Sequence, residues 1–100
     1  AKNFSFLMNE FGEWKLSPAY DLTFSSGPGG EQSTMVMGEG RNITVKHLTK
    51  LGKEAKLSKE FIENVIEQTS SALSKWSSLS KDFGVSKSNR ELITKLIKTF

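Results

Sequence analysis

The hydrophobic period changes once along this chain, and the change falls in a glycine-rich stretch. Before it the apolar residues alternate: Phe4 and Phe6 in Phe4-Ser5-Phe6-Leu7-Met8, then Trp14 and Leu16 in Trp14-Lys15-Leu16. A period of two marks a half-buried strand. Glu10-Phe11-Gly12-Glu13 separates the runs as a turn, with Gly12 free to take positive φ. Pro18 ends the second strand because it cannot donate to a ladder. The pattern predicts a β-hairpin over residues 4–17. A lone hairpin is marginal in water, so this one needs something to pack on.

After the glycine-rich stretch the spacing becomes helical. Thr44 is the expected N-cap of a short helix through Val45, Leu48 and Leu51, with Gly52 near its end. Ser58 is the expected N-cap of a long one. Its stripe is Phe61, Ile62, Val65, Ile66, Thr69, Ala72, Leu73, Trp76 and Leu79, in steps of one, three and four. Gly84 closes that segment. Ser88-Asn89-Arg90-Glu91 reads as a capping box for a last helix with Leu92, Ile93, Leu96, Ile97 and Phe100 on one face. Lys95 and Lys98 suit its C-terminal dipole. The expected class is α+β: an N-terminal hairpin and a Gly-rich loop, followed by about three packed α-helices. The two long stripes are expected to face each other and the hairpin's Phe4, Phe6, Trp14 and Leu16.

The stretch between the two regimes, residues 25–40, holds five of the eight glycines. It predicts a long loop, with a short strand at Thr34–Met37. Its spacing fits neither GxGxxG nor GxxxxGK[ST], and no helix start follows at once. The expectation is a mobile surface loop between Gly27 and Gly40, not a phosphate cradle.

At 100 residues the chain suits a single domain. Its parts are a hairpin over 1–24, the Gly-rich loop over 25–42 and a helical part over 43–100. There is no cysteine, which excludes disulfides, zinc–thiolate sites and a cysteine nucleophile, and fits a reducing, cytoplasmic location. The single histidine, His47, excludes a multi-histidine metal site within the chain and reads as a surface or packing residue. No apolar run of about 18 residues predicts a membrane span. Ala1-Lys2-Asn3-Phe4-Ser5-Phe6 lacks the features of a signal peptide and an initiator Met, as expected of a processed chain or a piece of a longer one.

Charge is uneven. Residues 1–45 carry three Lys/Arg against five Asp/Glu, and residues 46–100 carry eleven against six. The basic half reads as a solvated surface before it reads as a polyanion site. Lys81–Lys87 is too long for the turn of a helix-turn-helix, and no Arg/Asn-rich recognition face follows it. Ser70, Ser71, Ser74, Ser77, Ser78 and Ser80 fall mostly off the apolar stripe and read as a solvated or helix-contact face.

One segment offers chemistry. In Ser17-Pro18-Ala19-Tyr20-Asp21-Leu22-Thr23 a carboxylate follows a strand and a proline-fixed turn and precedes a glycine-rich loop. Strand ends are rigid and loops admit ligand, so Asp21 is placed to hold a metal-bound phosphate. A single carboxylate does not make a Mg²⁺ site. Asn3, at the opposite end of the same hairpin, supplies a second oxygen if the strand pair brings the two together. The competing reading is that Asp21 caps a turn.

Lys2-Asn3-Phe4-Ser5-Phe6-Leu7-Met8, followed by Gly12-Glu13-Trp14-Lys15-Leu16-Ser17-Pro18-Ala19-Tyr20-Asp21-Leu22-Thr23, resembles the C-terminal lobe of HipA-like toxin kinases. The specific motifs lie in residues 2–24, and the helical part is similar only in layout. The resemblance implies part of the C-lobe of a protein-kinase-like fold, from a serine/threonine kinase of a bacterial toxin–antitoxin pair. In that family a catalytic loop resembling N-x-D-D-H-x-x-N supplies the base from its first Asp and a Mg²⁺ ligand from its last Asn. The Asp of the Y-D motif plays the part of the second metal-binding Asp. By position Asn3 resembles that final Asn, and Asp21 the metal-binding Asp.

The resemblance also implies what this chain lacks. The base would lie five residues before Asn3, and the nucleotide lobe and its lysine further upstream. No catalytic residue is expected within these 100 residues, and no kinase activity or cofactor for the chain alone. Mg²⁺ and ATP are the cofactors implied for the full-length protein. The implied partner is an antitoxin protein, with DNA reached only through it and no membrane. Self-association through exposed apolar surface is a further expectation. The alternative function is a helical interaction module contacting an antitoxin or its DNA complex.

Overall fold

A computed structural model describes residues 3–97, so the parts proposed for Lys2, Lys98 and Phe100 lie outside the described residues. The chain divides into two compact units, residues 1–34 and 35–100, and the boundary falls inside the glycine-rich stretch.

The first unit is the hairpin and the segment after it. β1 (Phe6–Met8) pairs antiparallel with β2 (Trp14–Leu16), in the register Phe6↔Leu16, Leu7↔Lys15, Met8↔Trp14. One more bond, from Ser17 N–H to Ser5 O at 2.8 Å, extends the ladder. The turn is tied by Asn9. Its Oδ1 accepts from the N–H groups of Phe11 (2.9 Å) and Glu13 (3.0 Å), and its Nδ2 donates to Glu13 Oε2 at 2.7 Å. An Asn that bonds the backbone two residues on is a local turn-former, and Gly12 supplies the predicted positive φ of 78°. Phe4 and Phe6 meet edge to face at 6.3 Å. The packing expected for the alternating side chains is not observed: Phe6, Trp14 and Leu16 are 58%, 66% and 62% exposed. Beyond the hairpin, Pro28–Gly30 forms one 3₁₀ turn.

The second unit is helical: α1 (Val45–Glu54), α2 (Lys59–Ser74), α3 (Trp76–Asp82) and α4 (Lys87–Ile97). It opens on a tight turn in place of the expected strand at Thr34–Met37. Val36 and Glu39 form an isolated bridge around Met37 and Gly38, whose φ values are 52° and 83°. Two successive left-handed residues give the twist that a two-residue hairpin turn requires.

Glu39 then ties this turn to the approach of α1. Its Oε1 accepts from Arg41 N–H at 2.7 Å and Asn42 N–H at 2.8 Å. The Asn42 bond first, then the Arg41 bond, hold the carboxyl below its ordinary 4.5, against the opposing effect of desolvation. A carboxyl depressed in the folded state adds stability above its unfolded value and loses it as the pH falls through the folded one. Glu39→Gln is therefore expected to melt below the parent at neutral pH. The gap should close as the pH drops below about 4.5, read by circular dichroism melts across pH.

Two of the three predicted helix starts hold. Ser58 Oγ accepts from Phe61 N–H at 3.2 Å. Thr44 precedes α1, and the capping partner is His47: its Nδ1 accepts from Thr44 N–H at 3.0 Å and lies 2.9 Å from Thr44 Oγ1. His47 plays the reciprocal part usually taken by Glu or Gln three residues into a helix.

Two helical expectations are corrected. The long helix is broken at Lys75, so four helices replace about three. Ser74 Oγ donates to Ser71 O at 2.7 Å, the carbonyl that Lys75 N–H would take in an unbroken helix. Lys75 N–H accordingly bonds Ala72 O at 3.2 Å in a 3₁₀ step. The last helix is capped by Ser86 and not Ser88. Ser86 O accepts from Arg90 N–H at 2.9 Å, and Ser86 Oγ faces Asn89 N–H at 3.4 Å.

Packing follows the break. α1 lies against α2 and α3 against α4, so the α2 and α4 stripes do not face each other as expected. Ile62, 5% exposed, is the one buried hydrophobic side chain among the described residues. It sits against buried Gly52 of α1, whose missing side chain permits the close approach. Phe61, Val65, Leu92 and Leu96 stay exposed. Among the described residues no helix is long and apolar enough to cross a membrane.

Candidate functional site at the open end of the hairpin

The strand register decides where the two chemically suggestive residues stand. Asn3 lies three positions before Phe6, and Asp21 five positions after that residue's partner Leu16. The ladder draws these flanks together: Asn3 Nδ2 donates to the backbone carbonyl of Asp21 at 3.2 Å, across 18 positions of sequence. A second tie lies beside it, where Ser5 Oγ donates to the Tyr20 hydroxyl at 3.2 Å. Ser17 Oγ donates to Pro18 O at 3.0 Å and steadies the turn between β2 and Tyr20.

Asn3 and Asp21 share a backbone conformation. Both are left-handed, with φ of 68° and 50°. Asn and Asp are the non-glycine residues that tolerate this region best. Such outliers cluster where surrounding structure holds a side chain in a required direction. Here the holding bond is the one between the two residues.

The chemistry left over is two oxygen donors. The amide nitrogen of Asn3 is spent on the Asp21 carbonyl, which leaves its Oδ1 as an acceptor. The bond to Asp21 is made by the main chain, so the carboxylate takes no part in it. A neutral amide oxygen and an exposed carboxylate suit a hard divalent cation such as Mg²⁺, which takes one or two protein oxygens and completes its shell from phosphates and water. Among the described residues no group of three or more His, Cys, Asp or Glu forms a self-sufficient metal site. The pair fits a metal shared with a substrate and does not fit an all-protein cage.

Other candidates fall elsewhere. His47 is engaged in the α1 cap. Most of the serines of residues 70–80 are exposed as expected, but Ser80 is buried at 2% exposure. The contribution of Ser5 and Tyr20 was not singled out from the residues alone. Its only sequence signal is their placement two positions inside Asn3 and one inside Asp21.

A protein-family model described as the HipA-like C-terminal domain matches residues 1–76. No curated protein and no solved structure matches the chain.

Proposed function

The chain belongs to the HipA-like C-terminal domain family, and from that membership we propose that it is the metal-ligand-bearing C-terminal part of a serine/threonine protein kinase toxin. In this reading Asn3 and Asp21 hold Mg²⁺ on the phosphates of ATP in the full-length protein. The observation that carries the reading is the 3.2 Å bond from the Asn3 amide to the Asp21 main chain. It joins the two residues across opposite flanks of one hairpin, and that supports a shared metal.

When bound, the metal neutralises charge on the transferring phosphoryl group and orients it. The chain's own part is positional. The hairpin fixes the spacing of the two donors, and the Ser5–Tyr20 bond stiffens the same end. Phosphoryl transfer needs base, lysine and nucleotide pocket placed together. These 100 residues hold only the metal ligands of that set, so alone they are inactive. The proposed setting is the bacterial cytoplasm, with an antitoxin protein as partner and DNA reached through it.

Asn3→Ala tests the reading in the full-length protein. It removes a metal ligand together with the bond to Asp21. The Mg²⁺ concentration giving half-maximal phosphoryl transfer from ATP should rise about 10-fold or more. An unchanged Mg²⁺ dependence removes Asn3 from the metal site.

A second reading, a helical module that docks on the antitoxin, is favoured by the cleft between α1 and α2. It has a volume of about 550 Å³ and is lined by Leu48, Leu51, Phe61, Val65 and Leu73, among others. In that case Phe61→Asp weakens antitoxin binding and spares Mg²⁺-dependent transfer.

A further inference from the structure

Helix α4 carries Lys87, Arg90, Glu91, Thr94 and Lys95 at helical spacing, which gathers them on one face. That face borders a cleft of about 480 Å³ whose other wall is Ser77 and Ser80 of α3. The residues lie beyond the family match, which ends at residue 76.

Three features of the cleft point the same way. Its lining has three cations against one carboxylate, and Glu91 is itself paired with Lys87 at 3.9 Å. The balance is two positive charges, matching the charge of a phosphomonoester dianion. Arg90 Nε is buried and has no hydrogen-bond partner among the described residues. Arg90 lines the cleft, and its guanidinium fork matches phosphate oxygens better than any other common side chain. Hydroxyl groups from Ser77 and Thr94 stand around the same space and can donate to further oxygens, while Ser80 Oγ donates to Ser77 O at 3.4 Å. The volume is that of a small-molecule site and leaves room for an organic group beside the phosphate.

We propose that the cleft between α3 and α4 binds a small organic phosphate, with Arg90 as the central contact and Lys87 and Lys95 flanking it. It uses neither Asn3 nor Asp21, and its test does not depend on kinase activity.

The test is a titration of the 100-residue chain with glucose 6-phosphate, followed by amide shifts in ¹H–¹⁵N spectra at constant ionic strength. Glucose, potassium chloride and inorganic phosphate are run alongside. The expected result is saturable shifts over residues 77–95 with glucose 6-phosphate. Inorganic phosphate should bind there at least threefold more weakly, and glucose or chloride should give no saturation. Arg90→Gln should weaken glucose 6-phosphate binding at least 10-fold. Lys95→Gln, at an exposed position that the fold tolerates, should weaken it severalfold. The proposal is overturned by the absence of saturation, by equal shifts with glucose or chloride, or by inorganic phosphate binding as tightly as the ester. Unchanged affinity in both variants overturns it as well.

Discussion

Asp21→Asn in the full-length protein is expected to lower phosphoryl transfer by about 10²–10³-fold, with folding unchanged. The choice of asparagine follows from the backbone. Asp21 has a φ of 50°, a conformation that Asn tolerates and Ala does not favour. The bond from Asn3 goes to the Asp21 carbonyl oxygen, so it survives the exchange. What is removed is one negative charge from the proposed hard-cation site, replaced by a weaker amide oxygen. Turnover at saturating ATP and Mg²⁺, set beside a circular dichroism melt, separates loss of chemistry from loss of fold. Turnover within about threefold of the parent would exclude Asp21 from charge stabilisation at the phosphoryl group.

The second large effect concerns the helical unit. Gly52→Ala would place a methyl group 2.7 Å from both Cδ1 and Cγ1 of Ile62. The terminal Cδ1 can swing away. Cγ1 sits on a β-branched carbon with one strongly preferred rotamer in a helix, so it moves only if α1 or α2 shifts. Overpacking of this kind costs ~1–3 kcal/mol and is expected to outweigh the ~1 kcal/mol of helix propensity that alanine adds. Ile62→Ala opens a cavity at the one buried hydrophobic position among the described residues, and is expected to cost ~2–4 kcal/mol. The two changes should partly cancel. The double variant is expected to be more stable than the sum of the singles by ~0.5–3 kcal/mol, measured by urea unfolding of the chain. Strict additivity would mean that Gly52 and Ile62 do not meet as described.

Much of the fold was legible because the signals are local. Ser58 and Thr44 begin their helices as predicted, since a cap is decided by the few residues that follow it. The hairpin was legible from alternation and from Gly12. The break at Lys75 was not, because the apolar stripe from Phe61 to Leu79 runs across it without a glycine or proline. At the break the Ser74 hydroxyl takes the Ser71 carbonyl and Lys75 N–H turns to Ala72, a competition that periodicity does not register. Ser88 lost the cap to Ser86 for a related reason: both are good caps two residues apart, and local pattern does not choose between them.

The site divides in the same way. The approach of Asn3 to Asp21 follows from hairpin geometry, since paired strands bring their flanks together. The shared left-handed backbone does not follow from it, and neither does the Ser5–Tyr20 bond. The basic face of α4 was visible as a charge excess and read as solvated. Only the placement of α3 against it forms the cleft that Arg90 lines.

The central claim is that Asn3 and Asp21 hold the metal of a nucleotide site completed by the rest of a kinase. Its most direct test is calorimetric titration of ATP, with and without Mg²⁺, into the full-length protein, its Asp21→Asn variant and this chain alone. The account predicts Mg²⁺-dependent binding to the full-length protein, loss of the Mg²⁺-dependent component in the variant and no binding to the isolated chain. Unchanged Mg²⁺-dependent binding by the variant, or Mg²⁺–ATP binding by the isolated chain, would contradict it.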